Sequence, residues 1–211
     1  MRYQTVSRRK ELCMRKMTLA TVLSLCLLLG NSLASAQERP TVLISYFSQQ
    51  GHTRTLAEAV ARGARSAGGV SVKLLTIAET TKEDLLAADA IIVGSPVHNA
   101  NAAAEVISFL DHWPFEGSPM KDKIGGAFVT AGGMSAGEEL AEMNILHSML
   151  IFGMIVVGGP DWTSPFGASA ITSEAPFEKY AAGSEISPEF VKKGEGLGKR
   201  VAELAIKLKR K

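Results

Sequence analysis

The chain has 211 residues, of which 46% are hydrophobic and 21% charged, and its formal net charge is +2. A length of this order makes about one domain, and the near-balanced charge gives no reason to expect nucleic acid as a partner. Both cysteines, Cys13 and Cys26, fall in the first thirty residues.

The N-terminus reads as a processing segment. Arg8, Arg9, Lys10, Arg15 and Lys16 form a basic region, and Leu19–Leu29 is a leucine-rich apolar run too short for an ordinary membrane span. Ala34-Ser35-Ala36 closes it with a small-residue cleavage pattern. Together these predict a secretory signal peptide over residues 1–36, removed near Ala36. Ser7-Arg8-Arg9-Lys10-Glu11-Leu12 resembles the twin-arginine export motif, with Glu11 where that motif prefers an aromatic residue; this route is one reading of the export signal. The expected location is the periplasm. The mature chain, 37–211, then carries no cysteine, so thiol catalysis, disulfides and cysteine metal sites are excluded from it. Losing six Lys/Arg and one Glu also leaves it weakly acidic.

From Gln37 onward the pattern alternates between strand and helix. Thr41–Phe47 is an apolar strand, and Arg54–Ser66 is a helix stopped by Gly68-Gly69. Val70–Ile77 is a second strand and Lys82–Ala88 a short helix. Ala90–Gly94 (AIIVG) is apolar throughout, as expected for a central parallel strand. Ala102–Trp113 is helical and Lys123–Thr130 is a fourth strand. Ala136–Phe152 is a helix offering Leu140, Met143, Ile145, Leu146, Met149 and Leu150 for burial. Met154–Val157 is a fifth strand. Gly158–Ser187 is a long irregular stretch, and Pro188–Lys209 is a closing helix with proline near its first turn. Short apolar strands alternating with helices imply an α/β fold with a doubly wound parallel sheet.

In such sheets ligands bind beyond the carboxyl ends of the strands. After the first strand comes Ser48-Gln49-Gln50-Gly51-His52-Thr53, followed by Thr55. A hydroxyl- and glycine-containing turn entering a helix is suited to phosphate, because the first N–H groups of a helix have no partner within it. The turn has neither the Gly-Lys-Ser/Thr ending of a nucleotide triphosphate loop nor the G-x-G-x-x-G of a dinucleotide fold. After the third strand comes Ser95-Pro96-Val97-His98-Asn99-Ala100-Asn101, where small residues let a flat ring approach the backbone. After the fourth comes Thr130-Ala131-Gly132-Gly133-Met134-Ser135, whose paired glycines allow the same.

The turn after the first strand resembles the flavin mononucleotide (FMN) phosphate loop of flavodoxin-like proteins, Ser/Thr-x-x-Gly-x-Thr. Over the mature chain the sequence is similar to the NAD(P)H:quinone oxidoreductase branch of that superfamily, the group related to the tryptophan-repressor-binding protein. The similarity is carried by Tyr46–Thr53, Val93-Gly94-Ser95-Pro96 with Asn101, Phe109-Leu110-Asp111, Thr130–Glu138, Gly153–Val157 and Pro165-Phe166-Gly167-Ala168-Ser169. The resemblance implies a five-stranded parallel sheet of order 2-1-3-4-5, FMN as cofactor, NAD(P)H or another donor, a quinone-type acceptor, and a homo-oligomer, a tetramer in the related group. It implies that Ser48, Gln49, Gln50, Gly51, His52 and Thr53 hold the FMN phosphate. Pro96, Val97, His98, Asn99, Ala100 and Asn101 would line the ribityl chain and one ring edge. Thr130, Ala131, Gly132, Gly133 and Met134 would line the other edge. The related group commonly has an Arg-aromatic pair where this chain has His98-Asn99, and a histidine where it has Phe152. Phe152 is an apolar wall for the site or a core residue.

None of the four histidines, His52, His98, His112 and His147, forms an H-x-x-x-H or H-E-x-x-H pattern, so no zinc site is expected. Phe47-Ser48 lacks the acidic residues of a response-regulator receiver. The alternative to an enzyme is a flavodoxin-type electron carrier without turnover of its own. Carriers of that type are usually strongly acidic and sandwich the ring between aromatics; this strand-three loop has no aromatic residue.

Overall fold

The computed structural model describes residues 38–209. The expected signal segment, with its expected cleavage site and export motif, lies outside the described residues. β1 (Thr41–Tyr46), β2 (Ser71–Thr76), β3 (Ala90–His98) and β5 (Ile124–Ala131) are joined in the order β2-β1-β3-β5. All neighbouring pairs along this path are parallel. Between them run α1 (His52–Ser66), α2 (Lys82–Ala87) and α3 (Ala104–Asp111); α4 (Glu138–Ile151) follows β5, and α5 (Pro188–Lys209) closes the described chain.

Two elements differ from expectation. The third strand continues past Gly94 to His98, because Gly94, Ser95 and Pro96 keep parallel register with Phe128, Val129 and Thr130. It then folds back through Asn99 and Ala100, with φ of 49° and 63°, into the two-residue strand β4 (Asn101–Ala102). Two successive positive φ values are the geometry of a two-residue hairpin turn. Ala102 is thereby taken from α3, which starts two residues later than its apolar pattern suggests.

The fifth position in the sheet is made of two pieces. β6 (Ile155–Val156) pairs with Ile124 and Gly125 at the start of β5, and β7 (Ala168–Ile171) pairs with Phe128 to Ala131 at its end. Residues 157–167 loop out between them. The stretch expected to be irregular therefore contains a strand. Ala168-Ser169-Ala170-Ile171 is too small-sided to register as an apolar run, yet Ala168, Ala170 and Ile171 are buried.

One face of the sheet is covered by α1 and α5 through Leu56, Val60, Leu197 and Val201. The other is covered by α3 and α4 through Val106, Leu110, Ile145 and Met149. α1 and α5 touch backbone to backbone: a Cβ on Gly198 would lie 1.9 Å from the Val60 carbonyl oxygen, and one on Gly63 would lie 1.9 Å from that of Glu195. Leu140 and Leu150, offered for burial by the sequence, are instead 54% and 50% exposed, since α4 presents Ile145, Leu146 and Met149 to the sheet.

One core group is costly. Glu142 on α4 is 3% exposed, and its Oε1 finds no hydrogen-bond partner. A Cβ on Gly167, at the entry to β7, would lie only 2.8 Å from that oxygen. Burial, then the neighbouring Glu139 and Glu138, push the carboxyl up to about 8, against a weaker opposing pull from Lys193. A folded-state pKa above the unfolded value means that the native chain holds the extra proton. Stability is therefore greatest below about 4.5 and falls as pH rises toward 8. Glu142→Gln removes this titration. It is expected to flatten the fall of melting temperature between pH 5 and 8 and to stabilise the protein at pH 8 by roughly 2–4 kcal/mol, read by denaturant unfolding.

Candidate functional site

The loops after β1, β3 and β5 converge at the carboxyl end of the sheet around a cleft of about 290 Å³. Its lining comprises Gln49, Gln50, His52 and Thr53 from the first loop, Pro96, Val97 and His98 from β3, and Thr130, Ala131 and Gly132 from the end of β5. Thr172 and Ser173 complete it. These two come directly after β7, so the same strand-end rule finds them once β7 is recognised.

α1 begins at His52, two residues before the expected start, with Gly51 at φ 100° as its left-handed cap. Ser48 Oγ accepts the N–H of Gly51 at 3.1 Å and that of Arg54 at 3.3 Å, so this hydroxyl shapes the turn. Thr53 and Thr130 share a buried hydroxyl–hydroxyl hydrogen bond of 2.8 Å that ties the first loop to the end of β5. The Thr55 hydroxyl donates outward, to the Ser184 carbonyl at 2.6 Å. Ser95 Oγ donates to the Pro96 carbonyl and accepts the Ala103 N–H, both at 2.8 Å, which holds the β3–β4 corner.

His52 is buried at 5% exposure, and its Nε2 lies 2.8 Å from the Tyr180 carbonyl oxygen. A carbonyl only accepts, so Nε2 carries the proton and the ring serves as an anchor for residues 172–187. That segment forms a strap from the β5 loop to the turn before α1. Ser184 packs so closely on the turn that a Cβ on Gly51 would be 2.5 Å from its own Cβ. At the other side, the Gly132 carbonyl accepts the N–H groups of Ser173 and Glu174, each at 2.9 Å.

Several residues expected at the site lie outside the lining of this cleft. Asn99, Ala100 and Asn101 form the hairpin turn and its return, facing α4. Asn101 Oδ1 accepts from Asn144 at 3.0 Å, and a Cβ on Gly137 would lie 2.4 Å from the Ala100 Cα. Gly133 and Met134 lie past the lining, where Met134 is half exposed and its N–H donates to Glu174. Ser48 and Gly51 build the first loop without lining the cleft. Phe152 is not a wall of the cleft: it packs on Trp113 and Phe115, with ring centroids 5.6 and 5.8 Å apart. His112 caps the C-terminus of α3 and His147 lies on α4, both exposed.

Among the described residues the lining holds hydroxyls, amides and two imidazoles, and no lysine, arginine or carboxylate. Arg54, next to the first loop, is paired with Glu58 on the exposed face of α1. An anion in this cleft is met by hydroxyls and by the free N–H groups of a helix start. Pro96, Val97 and Ala131 add apolar surface for a flat ring. A nucleotide-sized group with one phosphate and one aromatic ring fits such a lining, and FMN is of this kind.

The model of the family described as NADPH-dependent FMN reductase matches residues 40–169. A protein of Aquifex aeolicus named flavodoxin is 35% identical over 172 residues, covering 77% of this chain and 85% of its own. One of Rhodopseudomonas palustris named NAD(P)H dehydrogenase (quinone) is 34% identical over 206 residues, covering 79% of this chain and 98% of its own. Among solved structures, a flavodoxin-type, WrbA-like protein from Agrobacterium tumefaciens superposes with a TM-score of 0.64 at 24% identity. That match covers 80% of this chain and 98% of the other. Its likeness bears on the fold, which is flavodoxin-like. The chain belongs to the NADPH-dependent FMN reductase family.

Proposed function

We propose that this protein is an FMN-dependent oxidoreductase that passes two electrons from NAD(P)H to a quinone-type acceptor. The observation that carries this reading is the hydroxyl-rich cleft between the three strand-end loops, in a chain of the FMN reductase family. Relatives named NAD(P)H dehydrogenase (quinone) support the choice of donor and acceptor.

Ser48–Thr53 and the first turn of α1 would hold the phosphate. Thr53 and Thr130 would fix the floor, with Pro96–His98 on one side and Ala131–Gly132 with Thr172–Ser173 on the other. The bound flavin supplies the hydride chemistry; the protein supplies position and electrostatics. The protein's own part is to keep two loops in register through the Thr53–Thr130 bond and to leave one side of the cleft open to solvent. Among the described residues no phenylalanine, tyrosine or tryptophan lines the cleft, which favours exchange with small substrates over the sealed ring of a carrier.

Two further elements of the reading come from the sequence and from the related group. Residues 1–36 are an export signal, so the working form begins at Gln37 and is periplasmic. The mature protein assembles into a homo-oligomer, a tetramer; exposed Trp162, Ile151 and Phe115, at 86%, 72% and 61%, are surface of the sort that oligomers cover. N-terminal sequencing of the protein from the periplasmic fraction is expected to give Gln37 first, and native mass measurement four chains. A cytoplasmic, uncleaved monomer would overturn both.

Titration of the mature chain with FMN is expected to saturate at one flavin per chain with a perturbed visible spectrum. NADH or NADPH should then bleach that spectrum, and a quinone should restore it. No saturable binding would sink the proposal.

Thr53→Val leaves the buried Thr130 hydroxyl without its partner and is expected to cost about 1–3 kcal/mol of stability. The double variant with Thr130→Val is expected to recover most of that stability, because both polar groups are gone, while still binding FMN about tenfold more weakly or worse. Thermal melts and flavin titrations of the three variants check this.

A further inference from the structure

Glu174 stands immediately outside the cleft lining, on the strap that leaves β7. Its Oε2 accepts the Met134 N–H at 2.5 Å. The same two segments are bonded in the opposite sense, the Gly132 carbonyl accepting the N–H groups of Ser173 and Glu174. The carboxylate comes this close only because Gly133 has no side chain: a Cβ there would lie 2.7 Å from Glu174 Oε2. A charged acceptor makes a stronger and shorter hydrogen bond to an amide than a neutral one does. The loop after β5 is thus held by a full negative charge, in a cleft whose lining contains no compensating lysine or arginine.

We propose that Glu174 is a positioning residue that sets the reduction potential of the cofactor held in this cleft. It acts by engaging the Met134 amide and by keeping a fixed negative charge beside Gly133, one residue beyond the Gly132 of the lining. The inference rests on the FMN reading above. Charge that builds up on the ring when it takes electrons is stabilised by nearby amide dipoles and opposed by nearby carboxylates. Glu174 works against reduction on both counts. It occupies one amide of the loop, and it contributes a like charge.

The wild-type holoprotein, Glu174→Gln and Glu174→Ala separate these effects. Glutamine keeps an oxygen acceptor for the Met134 N–H and removes the charge; alanine removes both. We expect FMN to bind E174Q as tightly as wild type in its oxidised form, and the reduced form to bind about tenfold tighter. That corresponds to a rise of about 30 mV in the two-electron midpoint potential. E174A should rise at least as far. The potentials are read by equilibration against reference dyes, without turnover, and oxidised FMN affinity by fluorescence quenching. If E174Q matches wild type in potential while E174A merely loosens FMN, Glu174 is a structural tie only and the inference is overturned. If wild type binds no FMN, the flavin reading falls and takes this inference with it.

Discussion

The fold depends on β5 being enclosed along its whole length. All eight residues, Ile124 to Ala131, are buried, and the strand must be paired on both edges to satisfy its backbone. β3 provides one edge without interruption. The other edge is shared between β6 at the start and β7 at the end, and the intervening residues leave the sheet as a loop. Because β7 finishes level with β5, the chain that emerges from it delivers Thr172 and Ser173 beside Thr130 and Ala131. The split strand is thus the reason that the cleft has a fourth wall, and the reason that the strap begins where it can reach Gly132 and Met134.

The parts of this arrangement that the sequence made legible are those in which backbone and side-chain signals agree. β1 and the core of β3 are continuous apolar runs, as parallel central strands must be, and α1 and α5 carry clear stop and start residues. The three strand-end loops were recognisable by position. What was hidden depended on pairing partners distant in sequence. Ser95-Pro96 looks like a loop because proline removes an N–H, yet β5 holds it in register. Ala168–Ile171 looks irregular because its side chains are small, yet it is covered by β5 on one edge and by the core beneath. Pairing distant in sequence likewise sets the hairpin of Asn99 to Asn101, through β4, and decides for Phe152 in favour of the core, where Trp113 and Phe115 sit about forty residues earlier in the chain.

Charge is distributed in a way that suits a cleft that takes up and gives back electrons. The ion pairs of the described residues, such as Arg54–Glu58, Arg62–Glu195 and Lys73–Asp84, lie on the outside, where each is worth little to stability. A lysine or arginine in the lining would hold phosphate more firmly, but it would also favour the reduced ring indiscriminately. Dipoles and hydroxyls would bind a phosphate without that side effect, which would leave the ring's potential to be adjusted by groups just beyond the lining.

The strap supplies such groups at small cost to the fold. It is joined to α1 by His52–Tyr180 and Thr55–Ser184, across 128 and 129 residues of chain, and to the β5 loop by Gly132 and Met134. None of these bonds belongs to the sheet, and most of the strap's side chains are exposed. A change at Glu174 or Ser184 therefore leaves the core of α1, α5 and β5 untouched, while a change at Thr53 or Thr130 reaches into it. A surface segment that touches the loops after both β1 and β5, yet carries little of the folding energy, is where substitutions can retune the chemistry of the cleft without having to repack the protein.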